Sequence, residues 1–393
     1  MKRIVYLTFY FEPDLCAGSF RNSPLAKVLA EKVKEDCVVE VYTTMPNRYD
    51  TYHAEASAYE ERGNLIIHRI ALPAHESGMM DQIKSFYTYF KEVIRLNKGQ
   101  KADLIFASSS RLFTAFLGYI LSIKYKKPLY LDIRDIFVDT ISDVIKSPII
   151  KLFMLPVLKL IEYQTFSNAV HINLISGGFK TYFQQFKGVE FSEFTNGIDD
   201  EFLQVKPNPV SLRKEHNAVK TIVYAGNIGE GQGLHKIIPQ AAVMLGEGYQ
   251  FIIIGDGGAK GKLLSELQKR HVTNVEIRKP IQRNLLIEEY QKADYLFLHL
   301  NDLDAFKKVL PSKIFELATF DSPMIAGVSG YAKEFIEKEI TCSFVFSPCD
   351  VEAMVRGVKE FNEGKEIDRK EFFSKYNRDH INHAMAESII QYL

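Results

Sequence analysis

Lys313 and Glu316 stand three residues apart in the stretch LPSKIFEL (310–317), directly after Pro311 and Ser312. That spacing sets both side chains on one face of a helix, one turn apart. As a surface ion pair it would contribute only about 0.2–0.5 kcal/mol. As a ligand site it offers more. A helix start presents unpaired N–H groups and a positive dipole end, and Ser312 and Lys313 add a hydroxyl and a full charge there. One turn on, the Glu316 carboxylate is placed to accept hydrogen bonds from paired hydroxyls. A diphosphate attached to a ribose has both parts, so the stretch reads as a nucleotide clamp. The ion pair and the clamp are compatible, since the two side chains are free to pair while the site is empty.

Other stretches place glycines or charges just after apolar runs. FEPDLCAGSFRNSPLA (11–26) carries Gly18, Ser19 and Arg21 ahead of a helical pattern, a combination suited to a phosphate or to an ordinary turn. YLDIRDIFVD (130–139) brings Asp132, Arg134, Asp135 and Asp139 together. These charges either orient a hydroxyl and steady a positive sugar centre or satisfy one another as an ion-pair cluster; Asp132 is read as structural. YAGNIGEGQGLHKII (224–238) holds Gly226, Asn227, Gly229, Gly231, Gln232 and Gly233, and IIIGDGG (252–258) holds Gly255, Asp256 and Gly257. Successive glycines of this kind turn several amide N–H groups toward one anion. Neither stretch is GxGxxG or a Walker loop, so a nicotinamide-dependent oxidoreductase and a P-loop enzyme are both disfavoured.

The elements that must position these residues alternate. Apolar, β-branched or aromatic runs at 3–9, 38–44, 65–70, 103–108, 128–133 and 171–176 predict strands, with helical spacing at 22–33, 81–96 and 111–125 between them. After a turn-rich linker at 196–210 the pattern restarts, with strands predicted at 220–228, 249–257, 274–279, 294–300 and 322–328. The expectation is an α/β protein of two lobes with mainly parallel sheets, 1–200 and 201–370, and a final helical stretch (371–393) returning to the first lobe. Ligands of such sheets bind at the carboxyl ends of the strands, which places the glycine loops on a cleft between the lobes.

Bulk composition narrows the classes. With 393 residues, 49 Lys+Arg against 49 Asp+Glu, and 46% hydrophobic residues, the chain is of ordinary globular composition and lacks the basic excess of a nucleic-acid binder. Its four cysteines are scattered without CxxC spacing, which suits a reducing, cytoplasmic setting and argues against a zinc site. The opening MKRIVYLTFY runs into Glu12-Pro13-Asp14 and reads as a buried strand, not a secretory signal. VIKSPIIKLFMLPVLKLIEYQ (144–164) is apolar with Lys146, Lys151 and Lys159 interspersed, and 77–96 adds Met and aromatic residues. The first reads either as an amphipathic segment touching anionic lipid or as a half-buried helix interrupted at Pro156.

Taken in order, TNGID (195–199), YAGN with QGL (224–234), IIIGDG (252–257) and PSKIFELATFDSPMIAG (311–327) resemble the retaining glycosyltransferases of family 4, which have the two-domain GT-B fold. The likeness covers nearly the whole chain and is closest to bacterial enzymes building O-antigen or capsule repeat units, among them transferases of N-acetyl-L-fucosamine. It implies a nucleotide-diphosphate sugar donor, UDP-linked, bound by the second lobe without metal or other cofactor. It further implies a saccharide acceptor carried on undecaprenyl diphosphate, and peripheral contact with the inner face of the bacterial cytoplasmic membrane. Glu316 matches the second glutamate of the family's EX7E motif, the ribose contact. The first glutamate is Lys308 here, and the family's Arg and Lys on the glycine loop are Asn227 and Gln232. Lys313, with Arg21 and the loop amides, is expected to supply the missing positive charge, while Asp135 and Arg134 position the acceptor or steady the sugar cation. Asn196, Lys279, Pro280 and Ile281 complete the expected substrate contacts. The alternatives are a sugar-nucleotide 2-epimerase of the same fold and a non-catalytic sugar-nucleotide-binding protein.

Overall fold

The computed structural model describes residues 1–47, 55–73, 79–109, 111–144, 148–205, 219–361 and 368–393. The chain divides into two compact units, Met1–Asn196 together with Asp379–Leu393, and Gly197–Arg378.

The first unit is built on an eight-stranded sheet. Its strands are β1 (Lys2–Thr8), β2 (Cys37–Thr44), β3 (Tyr59–Arg62), β4 (Leu65–Ile70), β5 (Leu104–Ser109), β6 (Leu129–Ile133), β7 (His171–Leu174) and β8 (Glu190–Ser192), in the order β3-β4-β2-β1-β5-β6-β7-β8. Every neighbouring pair is parallel except β3 with β4. The central strands are continuous apolar runs because helices cover both faces, as parallel sheets require. On one face Ile4, Tyr6, Val39, Val41, Leu104 and Phe106 form a core with Leu25 and Leu29 of the helix Ala17–Val33. Met385, Ala386 and Ile389 of the terminal helix Arg378–Ile390 enter the same core. Polar ties hold that helix as well: Lys32 pairs with Glu387 at 2.8 Å, and Tyr130 and Ser388 share a hydrogen bond of 3.1 Å.

The second unit has six strands, all parallel: β9 (Lys220–Asn227), β10 (Tyr249–Asp256), β11 (Val275–Arg278), β12 (Tyr295–His299), β13 (Met324–Gly327) and β14 (Ser343–Phe346), ordered β11-β10-β9-β12-β13-β14. Alternation along each strand divides its side chains between two cores. Val223, Ala225, Ile252 and Ile254 face one core, which also takes Ile314, Phe315 and Leu317. Ile222, Tyr224, Phe251 and Ile253 face the other, with Leu234, Ile237 and Ile238 of the helix Leu234–Leu245.

The predicted strands are all present, within a residue or two at their ends. Strands β3, β8 and β14 were not anticipated. β3 is YEER, an exposed and charged edge with no apolar signature, and charges at an edge oppose pairing with other chains. The helix after β1 begins at Ala17, five residues earlier than its apolar spacing suggests. The helix Pro148–Ser167 runs straight through Pro156 instead of being interrupted there. Residues 206–210 of the expected linker, along with 77–78 and Lys146, lie outside the described residues.

Candidate active site

In the second unit, β9 and β10 end side by side, with Gly255 opposite Gly226 and Asp256 opposite Asn227. Both glycines hold a positive φ, 153° at Gly226 and 157° at Gly255. A Cβ on Gly255 would run into the Gly226 carbonyl oxygen. Only glycine allows the two strand ends to approach this closely. The Ile228 N–H donates to the Asp256 carbonyl at 2.8 Å, and Gly257 N–H donates to the Asp256 carboxylate at 2.9 Å, so the two turns form one ledge. Gly233 then starts the helix Leu234–Leu245.

The ledge is held from behind by residues that sequence reasoning did not single out. Asn301 donates through Nδ2 to the Glu230 carbonyl at 2.9 Å, and its N–H donates to Gly231 O at 2.8 Å. His299 is fully buried. Its Nε2 accepts the Cys349 N–H at 3.0 Å, which leaves the proton on Nδ1 for the Gln232 carbonyl at 2.6 Å. Burial pushes its pKa down to about 4, so the imidazole is neutral near neutral pH. A lone histidine ending an apolar strand carries no sequence signal for this role. Phe306 lies against Gly231, on the short turn Asp304–Lys308 that ends with Lys308.

Lys313 reaches this ledge, its Cε lying 3.8 Å from where a Gly226 Cβ would be. Its Nζ donates to Glu316 Oε2 at 2.6 Å and lies 5.8 Å from the centre of the Tyr290 ring. The Lys313 side chain is 27% exposed and that of Glu316 9%, so the pair is not the solvated surface bridge that its spacing alone would suggest. Burial disfavours both charged forms, yet each holds the other ionised. Glu316 lies below the usual carboxylate range because Lys313, then Arg283, oppose the effect of burial. Lys313 is raised because Glu316 opposes it. Arg283 and Arg378 both pair with Asp199, and Arg378 Nη2 donates to Gly197 O at 2.7 Å. Asp199, from TNGID, thus anchors two arginines whose field reaches Glu316.

Asn227 and Gln232 are brought together, with Asn227 Nδ2 donating to Gln232 Oε1 at 2.9 Å. Two neutral amides joined by a hydrogen bond stand at the positions where the resemblance places two cations. A helix dipole contributes little at this turn, contrary to the expectation from sequence. The helix is only Lys313–Leu317, Ser312 caps no N–H with its side chain, and the Ile314 and Phe315 N–H groups donate to Pro311 and Ser312 carbonyls. What this turn offers an anion is chiefly the Lys313 charge. Lys279 is exposed and follows β11, while Pro280 and Ile281 are half-buried, Ile281 packing on the core below.

In the first unit Gly18, Ser19 and Arg21 lie inside the helix Ala17–Val33, not on a loop before it. Arg21 is 1% exposed and holds Asp132 through two bonds of 2.8 Å. It also donates to the Phe194 and Thr195 carbonyls at 2.8 and 3.0 Å. With its donors spent in this way, Arg21 is a structural residue and is withdrawn as a ligand for the diphosphate. Asp132 is completed by Ser108 and Asn173, each donating at 2.8 Å. Arg134 packs over Gly18, whose Cβ would lie 3.0 Å from its Nη1. Burial lowers the Arg134 pKa, and its Nε is buried without a hydrogen-bond partner, as are Asn196 Oδ1 and Thr195 Oγ1. Such atoms mark places where a ligand or water completes the bonding. Asp135 and Asp139 lie just beyond, the latter on the helix Phe137–Val144. Among the described residues no group of three or more His, Cys, Asp or Glu is arranged to hold a metal ion.

Two Rossmann-like parallel sheets on one chain, the second carrying the glycine ledge and its Lys–Glu pair, constitute the GT-B fold, the fold of sucrose-phosphate synthase from Thermosynechococcus elongatus. The alignment with that structure covers 100% of this chain and 99% of that one, with a TM-score of 0.75 at 13% identity. Anabaena HepE, solved in complex with UDP, aligns over 100% of both chains with a TM-score of 0.67 at 15% identity. Residues 211–380 match the family model of glycosyl transferases group 1. In sequence, the chain is similar to WcaI of Escherichia coli (strain K12), whose name assigns it to glycosyl transfer in colanic acid biosynthesis. The two are 29% identical over 143 residues, which is 36% of this chain and 35% of WcaI. The match therefore spans about a third of that relative's length.

Proposed function

We propose that this protein is a glycosyltransferase that takes a sugar from a nucleoside-diphosphate donor, UDP-linked, and transfers it with retention of configuration at the anomeric carbon. The observation that carries the reading is the Lys313–Glu316 pair, seated against the glycine ledge of a unit that matches glycosyl transferases group 1. In this reading the ribose hydroxyls donate to Glu316. Lys313 turns from Glu316 toward the diphosphate, and the ledge amides complete the anion's contacts. The reaction needs no protein nucleophile. The acceptor hydroxyl attacks on the face from which the diphosphate leaves, its proton passes to the departing phosphate oxygen, and Lys313 stabilises the charge that develops there. No metal or cofactor is assigned a part. Asp135 and Arg134, at the end of β6, are assigned to the acceptor. The resemblance to O-antigen and capsule enzymes, together with the similarity to WcaI, supports a saccharide on a lipid diphosphate as acceptor, and an amino- or deoxyhexose of the N-acetyl-L-fucosamine kind as the sugar transferred.

A panel of UDP-sugars incubated with the protein and a lipid-diphosphate saccharide tests this. The expected result is UDP release matched by an acceptor longer by one sugar. Isomerised donor with no UDP released would indicate the epimerase. Donor binding with neither product would indicate a binding protein, the reading that the amide pair Asn227–Gln232 favours by lowering the positive charge of the ledge.

A further inference from the structure

Tyr290, on the helix Arg283–Lys292, is a buried titratable group to which the proposed reaction gives no task. Its side chain is fully buried, with the ring set edge-on to Phe320 at 5.1 Å between centroids. Leu286, one turn earlier on the same helix, enters the same core. The Tyr290 hydroxyl is buried as well, and it has no hydrogen-bond partner. A phenylalanine would fill this space without stranding a polar atom, and a buried tyrosine ordinarily finds a partner for its hydroxyl. The oxygen therefore needs a reason to be there.

The Lys313–Glu316 pair provides the reason. Lys313 Nζ lies 5.8 Å from the centre of the Tyr290 ring, at the limit of a cation–π contact. In the ligand-free protein that ammonium goes to Glu316 Oε2, at 2.6 Å. Burial pushes the phenol up to about 12, opposed by Lys313, so the hydroxyl keeps its proton near neutral pH and lies within the field of the lysine. Donor binding, as proposed, takes Nζ from Glu316 to the diphosphate. A lysine has a flexible four-carbon stem and three N–H donors, so one anion does not fix where its ammonium sits. Tyr290 offers a fixed acceptor beside it, because packing locks the ring and the oxygen has no bond to give up.

We infer that Tyr290 is a positioning residue of the donor site. As Lys313 turns from Glu316 to the diphosphate, its Nζ donates one hydrogen bond to the Tyr290 hydroxyl oxygen. That bond holds the ammonium while its other N–H groups meet the phosphates. The inference rests on the proposed donor binding at Lys313 and Glu316. Because the bond exists only with the donor in place, it contributes to donor affinity and not to the stability of the ligand-free protein. A tyrosine hydroxyl with a purely structural task would behave the opposite way.

Calorimetric titration of UDP and urea unfolding of wild type, Tyr290→Phe, Lys313→Ala and the double variant test it. Tyr290→Phe removes one oxygen and keeps the ring. It should unfold at the same urea concentration as wild type, or a higher one, and bind UDP about tenfold more weakly. In the Lys313→Ala background the same substitution should change UDP affinity by less than about twofold, since the phenol acts through the ammonium. A lower unfolding midpoint for Tyr290→Phe would show the hydroxyl already bonded in the ligand-free protein and overturns the inference. So does a tenfold effect that persists without Lys313. Wild type that takes up no UDP overturns the donor reading itself, and this inference with it. Wild type that binds UDP, with Tyr290→Phe binding it as tightly, sinks this inference alone.

Discussion

Replacing Lys313 with Met removes the cation of the pair while keeping most of its bulk, and the cost should depend on pH in a defined direction. Removing one partner of a fully buried ion pair costs about 3–5 kcal/mol, whereas an exposed pair contributes about 0–1 kcal/mol. Here Glu316 is nearly buried and Lys313 is about a quarter exposed, at 9% and 27%. Arg283 and Arg378 still attract the abandoned carboxylate. An intermediate cost of about 2 kcal/mol near neutral pH follows. Glu316 is depressed in the folded protein, so its contribution is present above the unfolded carboxylate pKa and is lost as pH falls through the folded value. The Lys313 contribution, from a raised pKa, is complete anywhere below the unfolded lysine value and therefore does not vary across the acid range. Urea unfolding of wild type and Lys313→Met, followed from neutral pH down into the acid range, should show the two curves converging as Glu316 protonates. A gap that stays constant with pH, or one below about 0.5 kcal/mol at neutral pH, would refute the coupled, buried pair described here.

Three other outcomes follow from the same geometry. Asp132→Asn leaves the Arg21 guanidinium buried against a neutral partner and should destabilise the first unit by about 3–5 kcal/mol in urea unfolding, with UDP binding to the second unit unaffected. His299, whose pKa is pushed down to about 4, should stay neutral in NMR titrations well below pH 6. Its share of stability is full above the unfolded histidine value and falls by about 3 kcal/mol as pH drops from about 6.5 to the folded value. Asn227→Arg combined with Gln232→Lys replaces the mutually bonded amides with two cations at the ledge and should tighten UDP binding about tenfold or more by calorimetry.

The sheets were legible because parallel strands covered on both faces need unbroken apolar runs, and β1, β9 and β10 have them. β3 escaped because an edge strand of Tyr, Glu, Glu and Arg looks like a loop. The glycine ledge was legible for a local reason, since the close approach of β9 and β10 restricts the residue type at that point. Arg21 misled because its partner lies 111 residues away, and nothing adjacent to it shows that its donors are already used. His299, Asn301 and Arg283 act through contacts of the same long-range kind, with partners such as Cys349, Gln232, Glu230 and Asp199 lying between 50 and 84 residues distant. Ser312 and Lys313 read as the start of a proper helix because Pro-Ser followed by an apolar pattern is such a start. The helix instead ends at Leu317, where the Thr319 and Phe320 N–H groups donate to the Glu316 and Leu317 carbonyls in tighter turns.

The central claim is that the corner formed by Lys313, Glu316 and Gly226 holds a nucleoside diphosphate. Calorimetric titration of UDP into wild type, Lys313→Ala and Glu316→Gln tests it most directly. One site per chain is predicted, weakened about tenfold or more in each variant, because each loses a charge-assisted contact. Wild-type protein that takes up no UDP, or two variants that bind it as tightly as wild type, would contradict the claim.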